Sequence, residues 1–115
     1  MAKATQSSKA LPATVMDQLQ KLGRYLAIAR KRRRMSLSEM AERMMVNIKT
    51  VQRLEKGDAS VGIGIVATAL WVLGMHRRVG ELVAPESDQI GLQEDIKNLP
   101  RAFRKSRKQI DELNF

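Results

Sequence analysis

Apolar positions along this chain recur at helical intervals. Leu19, Leu22, Leu26 and Ala29 share three- and four-residue spacing, which predicts a helix from Thr14 to Arg33. Pro12 is well placed to open it. Leu37, Met40, Ala41 and Met44 then make one apolar face of a short helix. Ile48, Val51 and Leu54 make the face of a second one, and Gly57 ends it. From Gly62 to Leu73 the chain is apolar nearly all the way round. A shorter helix is expected from His76 to Val83, stopped by Pro85. Residues 86–98 fit either one more short helix, with Leu92 and Ile96 on one side, or an extended segment. The fold class expected is all-α: a compact bundle of about five helices with flexible N- and C-terminal tails.

The chain is organised around Ser36–Gly57. Ser36 caps the first short helix, and Glu39 three residues on completes a capping box. Asn47 caps the second. With Val51 and Leu54 turned inward, Lys49, Thr50, Gln52, Arg53 and Lys56 face outward. Two capped helices joined by a tight turn form a helix-turn-helix, the arrangement that lays its second helix in the DNA major groove.

Charge adds to this picture. The formal net charge is +9, and it is unevenly spread. Residues 1–34 hold nine Lys and Arg against one Asp, residues 57–95 hold two against six acidic side chains, and the last twenty residues are basic again. Such a distribution suits a polyanion and salt-sensitive phosphate contacts; a solvated surface is the plainer reading of charge alone. The run Arg30, Lys31, Arg32, Arg33 and Arg34 complements the negative end of the first helix dipole, and it exceeds what capping requires, so phosphate contact is also expected of it.

Chemistry narrows the classes. There is no cysteine, and His76 stands alone, so cysteine-based metal sites are excluded and no cofactor is expected. No phosphate-cradling glycine loop and no nucleophile–base constellation is present, which leaves an enzyme without a site. The longest apolar run, Val61 to Met75, contains glycines and is shorter than the roughly 20 residues a bilayer span takes. The N-terminus has no apolar signal core. A cytoplasmic protein without membrane contact is expected, divided into a disordered arm (1–11), a domain (12–84) and a C-terminal extension with a basic tail (85–115). For that tail, phosphate contact, docking on a partner and simple solvation all remain open.

Leu22-Gly23, Arg30-Lys31, Met35-Ser36, Glu39 to Arg43, Val46, Thr50-Val51, Arg53 to Gly57 and Leu73-Gly74 together resemble the Cro/CI-type (Xre) helix-turn-helix family, over roughly half the chain. The resemblance implies a lambda-repressor-like fold and an ion pair between Arg30 and Glu55 tying the first helix to the recognition helix. It puts base reading on Ile48, Lys49, Gln52 and Arg53, and backbone contact on Asn47 and Thr50, with Ser36 and Lys56 beside them. The chemistry agrees. Arg and Lys donate to guanine O6 and N7, Gln pairs with adenine, and Ile48 suits a thymine methyl. Three positions depart from the family. Met45 and Arg34 stand where glycine is usual, and Leu37 stands where a glutamine is frequent.

The stretch from Gly57 to Met75, the Glu81-Leu82-Val83 that follows, the acidic segment around Asp88 to Leu92, and Leu99-Pro100 with its basic tail look like the antitoxins encoded beside HipA-type kinases. That likeness implies a HipB-like homodimer that binds operator DNA, represses its own operon and associates with a HipA-like kinase toxin. A small domain buries only part of so apolar a helix, which makes Ile65, Trp71, Val72 and Met75 candidates for a dimer or toxin interface. Trp71 leads them, because the family usually carries a polar residue there. The alternative is a stand-alone repressor whose apolar helix serves only homodimerisation.

Overall fold

Helical spacing in the sequence becomes helix throughout. The computed structural model describes residues 11–100, and all its regular elements are helical. They are α1 (Ala13–Arg32), α2 (Leu37–Met44), α3 (Ile48–Glu55), α4 (Ile63–Val72), α5 (Arg77–Gly80), a 3-10 turn (Pro85–Ser87) and α6 (Gln89–Asn98). The expectations for residues 1–10 and 101–115 lie outside the described residues. By their contacts the described residues divide between Val79 and Gly80, five residues before the boundary expected at Ala84.

In the first unit, α2 packs on α3 and on α4, and α1 packs on α3. The core is built from Leu26 of α1, Met35, Met40, Ala41 and Met44 at and within α2, Val51 and Leu54 of α3, and Ala69 and Leu73 of the α4 segment. Met40 and Val51 are the largest side chains buried outright. Three unbranched methionines fill the space between short helices, a task for which their flexible thioethers are suited.

The backbones of α1 and the end of α3 come close together at two glycines. A Cβ added at Gly23 would lie 2.5 Å from the Glu55 carbonyl oxygen, and one at Gly57 would lie 2.6 Å from Cα of Gln20. Neither position has room for a side chain, so these two glycines set how near the helices come.

Four helices end in the same way. After each, one residue turns left-handed and the amide beyond it reaches back to a carbonyl five residues earlier, as in a Schellman motif. The bonds are Met35 N–H to Arg30 O (3.3 Å), Val46 to Ala41 (3.0 Å), Asp58 to Arg53 (3.1 Å) and Met75 to Leu70 (2.7 Å). Gly57 and Gly74 supply the left-handed residue after α3 and α4, with φ of 77° and 80°. After α1 and α2 it is Arg34 (φ 55°) and Met45 (φ 58°). The missing glycines thus leave the turn geometry in place: the side chains accept the unfavourable backbone.

Beyond the core the expected elements shorten or resolve. The helix expected over His76–Val83 covers only Arg77–Gly80, with no residue of it buried. Gly80 weakens it, and with Val79 only partly buried there is little packing to compensate. The open choice for residues 86–98 resolves as a 3-10 turn followed by α6, whose first turn is capped by Asp88 Oδ1 accepting from Gly91 N–H at 2.9 Å. Within that second unit no α6 residue is buried, and Ile90 is 76% exposed. Among the described residues no helix is long and apolar enough to cross a membrane.

Met45 is 91% exposed, so replacing it sacrifices no packing. The left-handed conformation costs a side-chain-bearing residue about 1–2 kcal/mol, and glycine returns roughly 0.4–1 kcal/mol of that through the unfolded chain. Met45→Gly should therefore raise stability by about 0.5–1 kcal/mol in a urea titration. A fall in the midpoint would show that Met45 makes a contact its exposure hides.

Candidate nucleic-acid interface

The candidate surface is the outer side of α3, and its position follows from what holds the inner side. Val51 and Leu54 are buried. Asn47 starts the helix, its Oδ1 accepting from Lys49 N–H at 2.8 Å. In front of it, α2 carries the full capping box: Ser36 Oγ accepts from Glu39 N–H at 3.0 Å, and Ser36 N–H donates to Glu39 Oε1 at 3.3 Å. The turn of Met45, Val46 and Asn47 between the helices is closed by the Asn47 cap on one side and by Val46 N–H donating to the Ala41 carbonyl at 3.0 Å on the other.

Arg30 and Glu55 anchor the far end. The guanidinium grips the carboxylate with two bonds, Nε to Oε2 at 2.8 Å and Nη2 to Oε1 at 3.1 Å. Nη1 donates to the Met35 carbonyl at 2.8 Å. Their side chains are only 8% and 12% exposed. The bonds to Glu55 push the Arg30 pKa still further up, against the burial that opposes its charge. The sequence places Arg30 in two roles, this pair and phosphate contact. The second has to be withdrawn, because a buried guanidinium bound on three sides cannot reach a duplex backbone.

The rest of the basic run separates as well. Arg33 is exposed but partly engaged: its Nη1 donates to the Ala29 carbonyl (2.8 Å) and its Nη2 to the Leu73 carbonyl (2.9 Å), stitching the ends of α1 and α4 together and leaving its charge and its other N–H groups open to phosphate. Lys31, Arg32 and Arg34 are exposed.

Along α3, Ile48, Lys49, Gln52 and Arg53 are exposed, as is Lys56 just beyond it. Thr50 is only half exposed, which suits orientation of the helix more than contact. Among the described residues no hydrogen bond or ion pair restrains the side chains of Lys49, Gln52 or Lys56. Arg53 differs. Its Nε donates to Asp58 Oδ2 at 3.0 Å, and its Nη2 donates to Ser60 Oγ. It faces outward as its spacing predicts, and it is already engaged by the loop that follows its helix. Asp58 in turn accepts from the Ser60 hydroxyl (2.6 Å) and the Ser60 amide (2.8 Å). Those two bonds, followed by the one from Arg53, hold its carboxyl at a pKa of about 2. Neither Asp58 nor Ser60 figures among the residues singled out from sequence. An Asp two residues ahead of a Ser, directly after a helix-ending glycine, is the signal that could have marked them as an Asx turn.

The apolar helix α4 divides differently from expectation. Ile65, Val72 and Met75 are partly buried against the core, which leaves each of them only part of its surface to offer a partner. Trp71 stands 62% exposed, and Ile63, part of the apolar stretch but not among the interface candidates, 72% exposed. Trp71 and Val72 line an open groove of about 290 Å³ with Arg43 of α2.

Two predictions follow from these anchors. Arg30→Met leaves Glu55 as an unpaired, nearly buried carboxylate and should destabilise the protein by about 3–5 kcal/mol, while Arg30→Met/Glu55→Met should recover a large part of that. Additive losses in a chemical-denaturation cycle would refute the coupling. For Asp58, the native carboxyl titrates below its ordinary value of 3.8. Its contribution is therefore complete above that value and disappears as pH falls through about 2. Acid titrations of native protein and Asp58→Asn should converge over that interval; parallel curves would mean that the carboxylate gains nothing in the fold.

Comparison with protein-family models, with curated proteins and with solved structures gives no match.

Proposed function

We propose that this chain is a sequence-specific DNA-binding repressor that reads operator DNA with α3. The observation that carries the reading is the division of α3 into a buried face, Val51 and Leu54, and an outer face bearing Lys49, Gln52 and Arg53. Those are donors suited to base edges in the major groove. Exposed Lys31, Arg32, Arg34 and Lys56 supply cations for phosphate. A surface kept only for solubility has no need of a capped, doubly anchored helix carrying such side chains on one side.

The finer role is that of a HipB-like antitoxin, acting in the cytoplasm as a homodimer beside a HipA-like kinase toxin and repressing their shared operon. Its support is the likeness of the Gly57–Met75 stretch and the segments after it. Exposed Trp71 and Ile63 on α4 offer apolar surface for an assembly, whether with a second copy or with the toxin. Co-purification with the product of the neighbouring reading frame, sized by light scattering, separates this role from that of a stand-alone repressor. The antitoxin predicts a stable complex with a kinase-like neighbour; the stand-alone repressor predicts a homodimer that ignores it.

DNA binding itself is tested by titrating the duplex upstream of the protein's own reading frame against random duplex of equal length. Arg53→Ala should lose about 1–3 kcal/mol on the specific duplex and little on the random one. Arg32→Ala should weaken both and lower the slope of log affinity against log salt by about one. Equal losses of Arg53→Ala on both duplexes would remove its base-reading role.

A further inference from the structure

Arg53 is held from two directions by the same residue. Asp58 N–H donates to the Arg53 carbonyl at 3.1 Å, closing the end of α3, and Asp58 Oδ2 accepts from Arg53 Nε at 3.0 Å. Left-handed Gly57, at φ 77°, turns the chain so that both bonds form at once. Asp58 is itself fixed: Ser60 gives its amide and its hydroxyl proton to Oδ1, which leaves a lone pair of Ser60 Oγ for Arg53 Nη2. Every donor and acceptor in this ring of three side chains has a defined direction.

A guanidinium carries five N–H groups in a rigid fork. Here Asp58 and Ser60 occupy its side edge, Nε and one Nη2 hydrogen. The end edge, Nη1 with the other Nη2 hydrogen, has no partner among the described residues, and the side chain is 49% exposed. Two parallel N–H groups on that edge match guanine N7 and O6. We propose that Asp58 and Ser60 are positioning residues that hold Arg53 with its end edge presented to a guanine in the major groove. The inference rests on the reading of α3 as a recognition helix. Lys49 and Gln52, which nothing among the described residues restrains, have to be ordered as DNA binds; Arg53 is ordered beforehand. The guanine opposite Arg53 is accordingly the most sharply specified base of the half-site. An isolated exposed ion pair would do little; the bonds from Ser60 and the helix-end bond make this one a fixed support.

The test uses the full chain and a randomised duplex library, followed by equilibrium titration of the selected duplex and each single-base change. Native protein should prefer guanine at one position by about ten-fold or more, and Arg53→Ala should abolish that preference. Asp58→Asn retains an oxygen for the Ser60 bonds and replaces the Arg53 acceptor by an amide. It should cut the preference about ten-fold at that position alone, with the salt slope and the other positions unchanged. Ser60→Ala, which removes the second acceptor, should cut it in the same place, and it carries the test if Asp58→Asn melts below the assay temperature. Two outcomes overturn the inference while sparing DNA recognition. One is native discrimination in both variants. The other is tighter binding of Asp58→Asn to every duplex, which would make the ring a brake on a cation. Native protein that selects no sequence overturns the recognition reading, and this inference with it.

Discussion

The bond between Arg30 and Glu55 is the constraint on which the first unit depends, because it is the point where three segments meet. The guanidinium comes from the last turns of α1, the carboxylate from the end of α3, and the third acceptor is the Met35 carbonyl at the entry to α2. Burial raises the consequence of any misfit. A charge so enclosed is tolerated only with its partners in place, so the three segments have essentially one acceptable arrangement. Gly23 and Gly57 bring the same helices to backbone contact a short way off, and together the pair and the glycines define a seam along which α1 fixes α3.

That seam gives α3 its orientation. A helix of eight residues has little stability of its own, yet Val51 is completely buried and both ends are closed, by Asn47 at the start and by the Gly57 turn at the finish. The outer side chains therefore project from a support that cannot easily turn. What differs among them is how much freedom each retains. Arg53 belongs to a ring with Asp58 and Ser60, whereas Lys49 and Gln52 extend from a fixed backbone with mobile tips. One short helix thus combines a fixed donor with adaptable ones.

The helix ends show how the fold accommodates departures in residue type. Arg34 and Met45 occupy left-handed positions that glycine fills after α3 and α4. The cost of order 1–2 kcal/mol at each is opposed by the turns they permit, since the residue that follows each one enters the core: Met35 is buried and Val46 packs against the cluster. After Gly57 and Gly74, which carry no such cost, the same turn leads instead to Asp58, in the ring with Arg53 and Ser60, and to Met75, packed against the core.

The positions of α1 to α4, both N-caps of the helix pair, the all-α class and the inward set Leu26, Met40, Met44, Val51 and Leu54 were legible in the sequence, since each depends on neighbours three or four residues away and on side chains that cap their own backbone. The resemblance also named Arg30 and Glu55 as partners, although they lie 25 residues apart. Tertiary structure alone decided which cations remain available. Spacing cannot show that Arg33 bonds a carbonyl 40 residues onward, or that Arg53 turns toward the loop after its own helix. It cannot divide an all-apolar helix either: α4 reads as hydrophobic on every side, and only the shape of the core decides that Ala69 is enclosed while Trp71 and Ile63 face outward. Periodicity records local geometry; burial and the competition for hydrogen-bond partners are settled by what the rest of the chain brings alongside.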